Sequence, residues 1–121
     1  MALSVNTRKI GDVVVVDMNG RLTAGEPVLL LRDTVRRFMD DGGAKFVLNL
    51  GGVTYIDSSG LGELVTTYTS VRNRQGNVNL LNLTKNAKDL LQMTKLLTVF
   101  DTFDDEAKAV ESLSLSSGAH N

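Results

Sequence analysis

The stretch Tyr55-Ile56-Asp57-Ser58-Ser59-Gly60-Leu61-Gly62 is where an apolar, strand-like run gives way to small polar residues and then to a helical pattern. Behind it, Ala44 to Leu50 has β character, and ahead of it Leu61, Leu64, Val65, Tyr68 and Val71 recur at helical spacing. The polar cluster therefore opens a helix, with Asp57 or Ser58 as its N-cap. Any ordinary helix start uses Asp, Ser and Gly, so the turn has a purely structural reading beside a functional one. In the functional reading, the helix start offers unpaired N–H groups and a partial positive charge to an anion carried on Ser58 or Ser59. Gly60 and Gly62 would leave the hydroxyls unshielded and let another protein's backbone come close. With Gly60 in the first helical turn, alanine there is expected to be tolerated by the fold.

A nucleophilic serine needs a base within hydrogen-bond reach, and the single histidine, His120, stands near the end of the sequence in a Ser-rich segment. Ile56 also occupies the first glycine position of a Gly-x-Ser-x-Gly elbow, which argues against a hydrolase. A serine without its own base can still accept a phosphoryl group brought by a kinase.

At these residues the sequence resembles the STAS-domain anti-sigma factor antagonists, small bacterial regulators switched by serine phosphorylation. The likeness rests on the Asp-Ser-Ser-Gly-Leu-Gly turn from Asp57 to Gly62, the upstream run Phe46-Val47-Leu48-Asn49-Leu50, and Gly20-Arg21-Leu22. It covers most of the chain. The resemblance implies Ser58 as phosphoacceptor, with an anti-sigma factor that is itself a serine kinase as partner and a phosphatase that reverses the modification. It carries partner contact onto Asp57, Ser58, Ser59, Gly60, Leu61, Gly62 and Thr23. Thr23 stands where antagonists of this type often carry an aspartate. The resemblance also leaves room for a weak homodimer, and for a constitutive STAS module in a transporter or a stressosome.

The composition is compatible with these implications. A chain of 121 residues, 42% of them hydrophobic, fits one domain with a single core, expected over residues 1–113, and a small polar tail over 114–121 is expected to be disordered. Thirteen basic and fourteen acidic residues give a formal charge of −1 with both signs interspersed, which argues against nucleic acid as a direct partner. With no cysteine and one histidine, neither a disulfide framework nor a metal site is expected, and no cofactor or catalytic residue is assigned. The sequence has no export signal pattern and no run long enough to span a membrane, so a cytoplasmic protein that is not an enzyme is expected.

Along the chain, Leu3 to Ile10 and Val13 to Met18 read as an antiparallel hairpin around Gly11-Asp12, and the run Val13-Val14-Val15-Val16 reads as a central strand. Val28, Leu31, Val35, Phe38 and Met39 trace a helix starting near Glu26, with Arg32, Arg36 and Arg37 on a solvated face. Asn79 and Asn82 interrupt the strand Asn77 to Leu83 and suggest partial exposure. Thr84 to Ala87 leads into a third helix. Relatives tend to have a glycine near its end where this chain has Lys95, so the helix is expected to end by another route. A last helix over Asp104 to Leu113 is expected to turn Ala107, Val110 and Leu113 inward.

The fold class is therefore α/β: a STAS-like mixed sheet of about five strands, the first hairpin antiparallel and the rest mostly parallel, with about four helices mainly on one face. A phospho-aspartate receiver using Asp57 is disfavoured, because Asp12 lies in a hairpin turn without the acidic neighbour that Mg²⁺ binding requires. Neither a P-loop nor a dinucleotide fingerprint is present.

Overall fold

The computed structural model describes residues 2–119, the side chains of 115–119 excepted. The elements run β1 (Ser4–Ile10), β2 (Val13–Leu22), α1 (Glu26–Asp40), β3 (Lys45–Ile56), α2 (Ser58–Asn73), β4 (Asn77–Leu81), α3 (Lys85–Met93), β5 (Asp101–Phe103) and α4 (Glu106–Ala119). They build one five-stranded sheet in the order β1-β2-β3-β4-β5. β1 is antiparallel to β2, and the later pairings are parallel. Gly11, at φ +62°, makes the hairpin turn.

The one-sidedness of the helices follows from this order. Each parallel crossover steps the sheet in the same direction, and right-handed crossovers stepping one way all lie on one face. α1, α2 and α3 accordingly pack on one side, over Val14, Val16, Phe46, Leu48, Leu50 and Leu80. α4 alone covers the other side, where Val13, Val15, Val47 and Leu81 meet Ala109 and Leu113. The uninterrupted valine run is thus divided between two small cores, each valine buried on its own face. Arg8 fastens α4 to the sheet: its Nε lies 2.7 Å from Asp17 Oδ2 and its Nη2 lies 2.6 Å from Glu106 Oε1.

Several expectations need correction. β3 does not stop near Leu50; it continues through Gly51 and Gly52 to Ile56, because β2 pairs with it throughout, with register shifts between Asp17 and Asn19 and between Gly20 and Arg21. A side chain at position 52 would collide with Asn19, so the glycine there serves the irregularity and does not end the strand. Asn79 is fully buried, its Nδ2 donating to Ala109 O at 3.0 Å beneath α4, whereas Asn82 is exposed as expected. On α4 it is Ala109 that is buried, and Ala107 faces solvent. α4 begins at Glu106, and Lys108 N donates to Asp105 Oδ1 at its start. The helical backbone continues over 114–119, part of the stretch read as a tail; residues 120 and 121 lie outside the described residues.

α3 ends through the left-handed turn that a glycine would have made, with Lys95 itself at φ +61°. Leu96 N donates to Leu91 O at 2.8 Å and Lys95 N to Gln92 O at 3.0 Å, closing the helix end as a glycine would. The Cβ of a lysine makes this conformation costly. Lys95→Gly should therefore stabilise the fold by about 1 kcal/mol, read as a higher midpoint in urea with an unchanged slope.

Candidate functional site

β2 and β3 run past the end of β4 and carry their C-terminal residues, Leu22 and Ile56, to one end of the sheet. The carboxyl ends of parallel strands are where open α/β sheets hold their ligands. Asp57, half-buried, follows Ile56 in extended conformation and is the N-cap of α2. Its carboxylate holds two elements at once. Oδ1 accepts from Gly60 N at 2.8 Å, and Oδ2 accepts from Ala24 N at 3.1 Å in the β2–α1 connection. Asp57 N donates to Leu22 O at 3.3 Å, so the start of α2 lies directly against the end of β2.

The expected site residues separate into two groups. Ser58, Ser59 and Gly62 are exposed, while Gly60 and Leu61 face inward. Thr23 is half-buried, in the connection whose next residue binds Asp57. Gly60 is a glycine for a reason internal to the fold: a Cβ there would stand 2.1 Å from Leu22 O and 2.9 Å from Leu22 C. The expected tolerance of alanine is thereby corrected, because the obstacle is backbone and cannot rotate away. Gly62 is the opposite case, since a Cβ there would meet nothing within 4 Å.

Beside the serines, Ala24, Val28, Arg32, Ser59, Gly62 and Thr66 border an open groove of about 350 Å³ between α1 and α2. Its wall contains an ion pair that the sequence did not disclose. Glu63, only 3% exposed, accepts from Arg32 Nη2 at 2.8 Å and from Arg32 Nε at 3.2 Å, and its other oxygen accepts from Thr67 Oγ1 at 3.3 Å. Arg32 is therefore a clamp between α1 and α2 and not simply part of a solvated face. The bond to Glu63 holds the Arg32 guanidinium more firmly protonated than usual. The available signal was Glu63 itself, an acidic residue set between Leu61 and Leu64 on the core side of the helix.

The STAS domain family model matches residues 4–109, and the chain belongs to that family. Among solved structures, one of TM1081 from Thermotoga maritima, described as an anti-sigma factor antagonist, is 26% identical with a TM-score of 0.84, the match covering 91% of this chain and 94% of that one. The phosphorylated form of the Bacillus cell-fate determinant SpoIIAA superimposes with a TM-score of 0.72 at 19% identity, covering 90% and 98%. A sulfate transporter family protein of Wolinella succinogenes has a TM-score of 0.71 at 18% identity, covering 91% of each chain. Among the described residues, no helix is long and apolar enough to cross a membrane.

The two glycines give opposite predictions. Gly60→Ala should destabilise by about 2 kcal/mol or more, an overpacking effect against backbone. Gly62→Ala should stabilise by about 1 kcal/mol, the helix-propensity difference at an unobstructed position. Equilibrium denaturation of the two variants checks both.

The Asp57 pKa makes a further one. The Gly60 N–H first, then the Ala24 N–H, hold its carboxyl below the usual carboxylate range. Because folding lowers this pKa, the stabilisation is complete above the unfolded value of about 4 and is lost as pH falls through the folded value. Asp57→Asn should thus melt below the parent protein at pH 7, with the difference narrowing below pH 4 in a series of thermal scans.

Proposed function

We propose that the chain is a cytoplasmic anti-sigma factor antagonist. Unmodified, it binds a serine-kinase anti-sigma factor through the surface around Ser58, Ser59 and Gly62; phosphorylation of Ser58 ends the contact, and a phosphatase restores it. The observation that carries this reading is the pairing of an exposed Ser58 at the first position of α2 with an exposed Gly62 one turn later, whose missing side chain nothing in the fold requires. A glycine inside a helix costs about 1 kcal/mol relative to alanine, and close approach of another backbone is what such a glycine would serve. A phosphate on Ser58 brings roughly −1.5 to −2 charges beside the Asp57 carboxylate. The α2 N-terminus accommodates that charge within the protein, while the partner meets added repulsion and a desolvation cost. The fold itself need not change.

Thr23, in the place of the usual aspartate, favours a second reading: a constitutive STAS binding module, of the transporter or stressosome kind, that uses the same surface without a phosphorylation cycle. Two measurements separate these readings. Incubation with the cognate anti-sigma kinase and ATP, followed by peptide mapping, should place the phosphate on Ser58 and lose it in Ser58→Ala. By calorimetry, Ser58→Asp should bind the kinase at least tenfold more weakly than Ser58→Ala. Modification confined to Ser59 would refute the Ser58 assignment, and equal affinities of the two variants would favour the constitutive module. Gly62→Ala should remain folded and bind more weakly.

A further inference from the structure

The strands that carry the Ser58 turn also place a pair of side chains on the far face of the sheet. Leu22 and Ile56 end β2 and β3 in the main core, so Arg21 and Tyr55, the residues before them and partners in the parallel register, point the other way and are exposed. α4 covers that face near the start of the two strands, over Val13, Val15 and Val47. At their end, Arg21 Cζ lies 4.8 Å from the centroid of the Tyr55 ring, and Tyr55 remains 41% exposed. A register shift between Gly20 and Arg21 immediately precedes the pair, and irregularities of this kind re-aim side chains beside functional sites. The fold gains little from the arrangement, since an exposed cation–π contact is weak and, among the described residues, Arg21 is in no ion pair. Arg and Tyr are, however, among the residue types that dominate binding at protein interfaces.

We infer that Arg21, held on the Tyr55 ring, extends the Ser58 contact surface onto this face and receives a carboxylate of the partner; the inference rests on the reading of Ser58 as the phosphorylated contact. Tyr55 precedes Ser58 by three residues, so their Cα atoms are at most about 11 Å apart at about 3.8 Å per step. Leu22, the neighbour of Arg21, accepts from Asp57 N at 3.3 Å. The α1–α2 groove opens on one side of the turn and the Arg21–Tyr55 pair lies on the other, so a partner seated over Ser58 spans both. A carboxylate is the chemistry that fits, because a guanidinium stacked on a ring keeps its N–H edge available and has less freedom to lose on binding. Charge gives the same answer. While Ser58 is unmodified, the positive charge of Arg21 draws an acidic group toward the turn. A phosphate carrying roughly −1.5 to −2 charges outweighs Arg21 and repels the same group. A partner without negative charge at this place would feel no such reversal.

Calorimetric titration of the full chain with the purified anti-sigma serine kinase of the same genome tests this. Arg21→Glu should bind at least tenfold more weakly than the parent and Arg21→Gln by an intermediate factor, with circular dichroism melts verifying that both variants fold. Salt supplies a readout that a merely structural role would not move. Raising it from about 50 mM to about 500 mM should weaken the parent complex and strengthen that of Arg21→Glu, because screening removes an attraction in one and a repulsion in the other. Parent-like affinity of a folded Arg21→Glu, or the same salt response in both proteins, overturns the inference while a weakened Ser58→Asp leaves the phosphorylation reading standing. Conversely, a Ser58→Asp that binds like the parent beside a weakened, salt-rescued Arg21→Glu supports the carboxylate contact and refutes the phosphorylation reading. A kinase that does not bind the parent chain overturns both.

Discussion

The Asp57 carboxylate holds the head of α2 and the head of α1 in one place. One oxygen closes the first turn of α2 on Gly60, and the other holds Ala24 where β2 turns toward α1. That arrangement works only if the helix can settle onto the carbonyl of Leu22, and the absence of a side chain at position 60 lets it do so. The exposed serines therefore stand on a rigid base: the backbone beneath them is fixed by a charged acceptor with two donors and by direct contact with the end of a central strand. A surface built this way can carry a change of charge with little movement, because the groups that determine its shape are not the exposed serines.

The same geometry assigns the parts of the Asp57–Gly62 turn to different tasks. Asp57, Gly60 and Leu61 hold the turn to the domain, while Ser58, Ser59 and Gly62 are presented outward. The Arg32–Glu63 pair adds a lateral tie between α1 and α2, directly below the groove that Ser59 and Gly62 border. A carboxylate so nearly removed from solvent is costly unless paired, so the two helices are held in a definite relative position as well as in contact.

Much of the fold was legible in the sequence because its signals are local. The valine run, the Gly11 turn, the helical spacing of Leu61, Leu64 and Val71, and the Asp-Ser-Ser cluster each depend on neighbours within a turn or two. What was not legible depends on residues distant in the chain. Gly52 looks like a strand end until Asn19 is placed opposite it. Asn79 looks wet until α4 covers it, and Ala109, not Ala107, is the residue that faces it. Lys95 looks unable to adopt a left-handed turn, yet the hydrogen bonds back to Leu91 and Gln92 hold it there. Within the site, the small residues and the serine cluster were evident. The division of labour between two glycines two positions apart was not, because it depends on where the carbonyl of Leu22 lies.

The strand order β1-β2-β3-β4-β5 also bears on how the chain acquires its structure during synthesis. Each strand pairs with the one made just before it, so the sheet can grow at a single edge as the polypeptide emerges, without waiting for a later segment to fill a gap. Sheets whose neighbours come from distant parts of the chain must first close long loops, which slows folding and leaves strand edges open in the meantime. Here the growing edge at any moment is the one the next strand will cover, and the β1 edge is the one that no strand joins. α4, the last element, then seals the face that the three crossover helices leave bare.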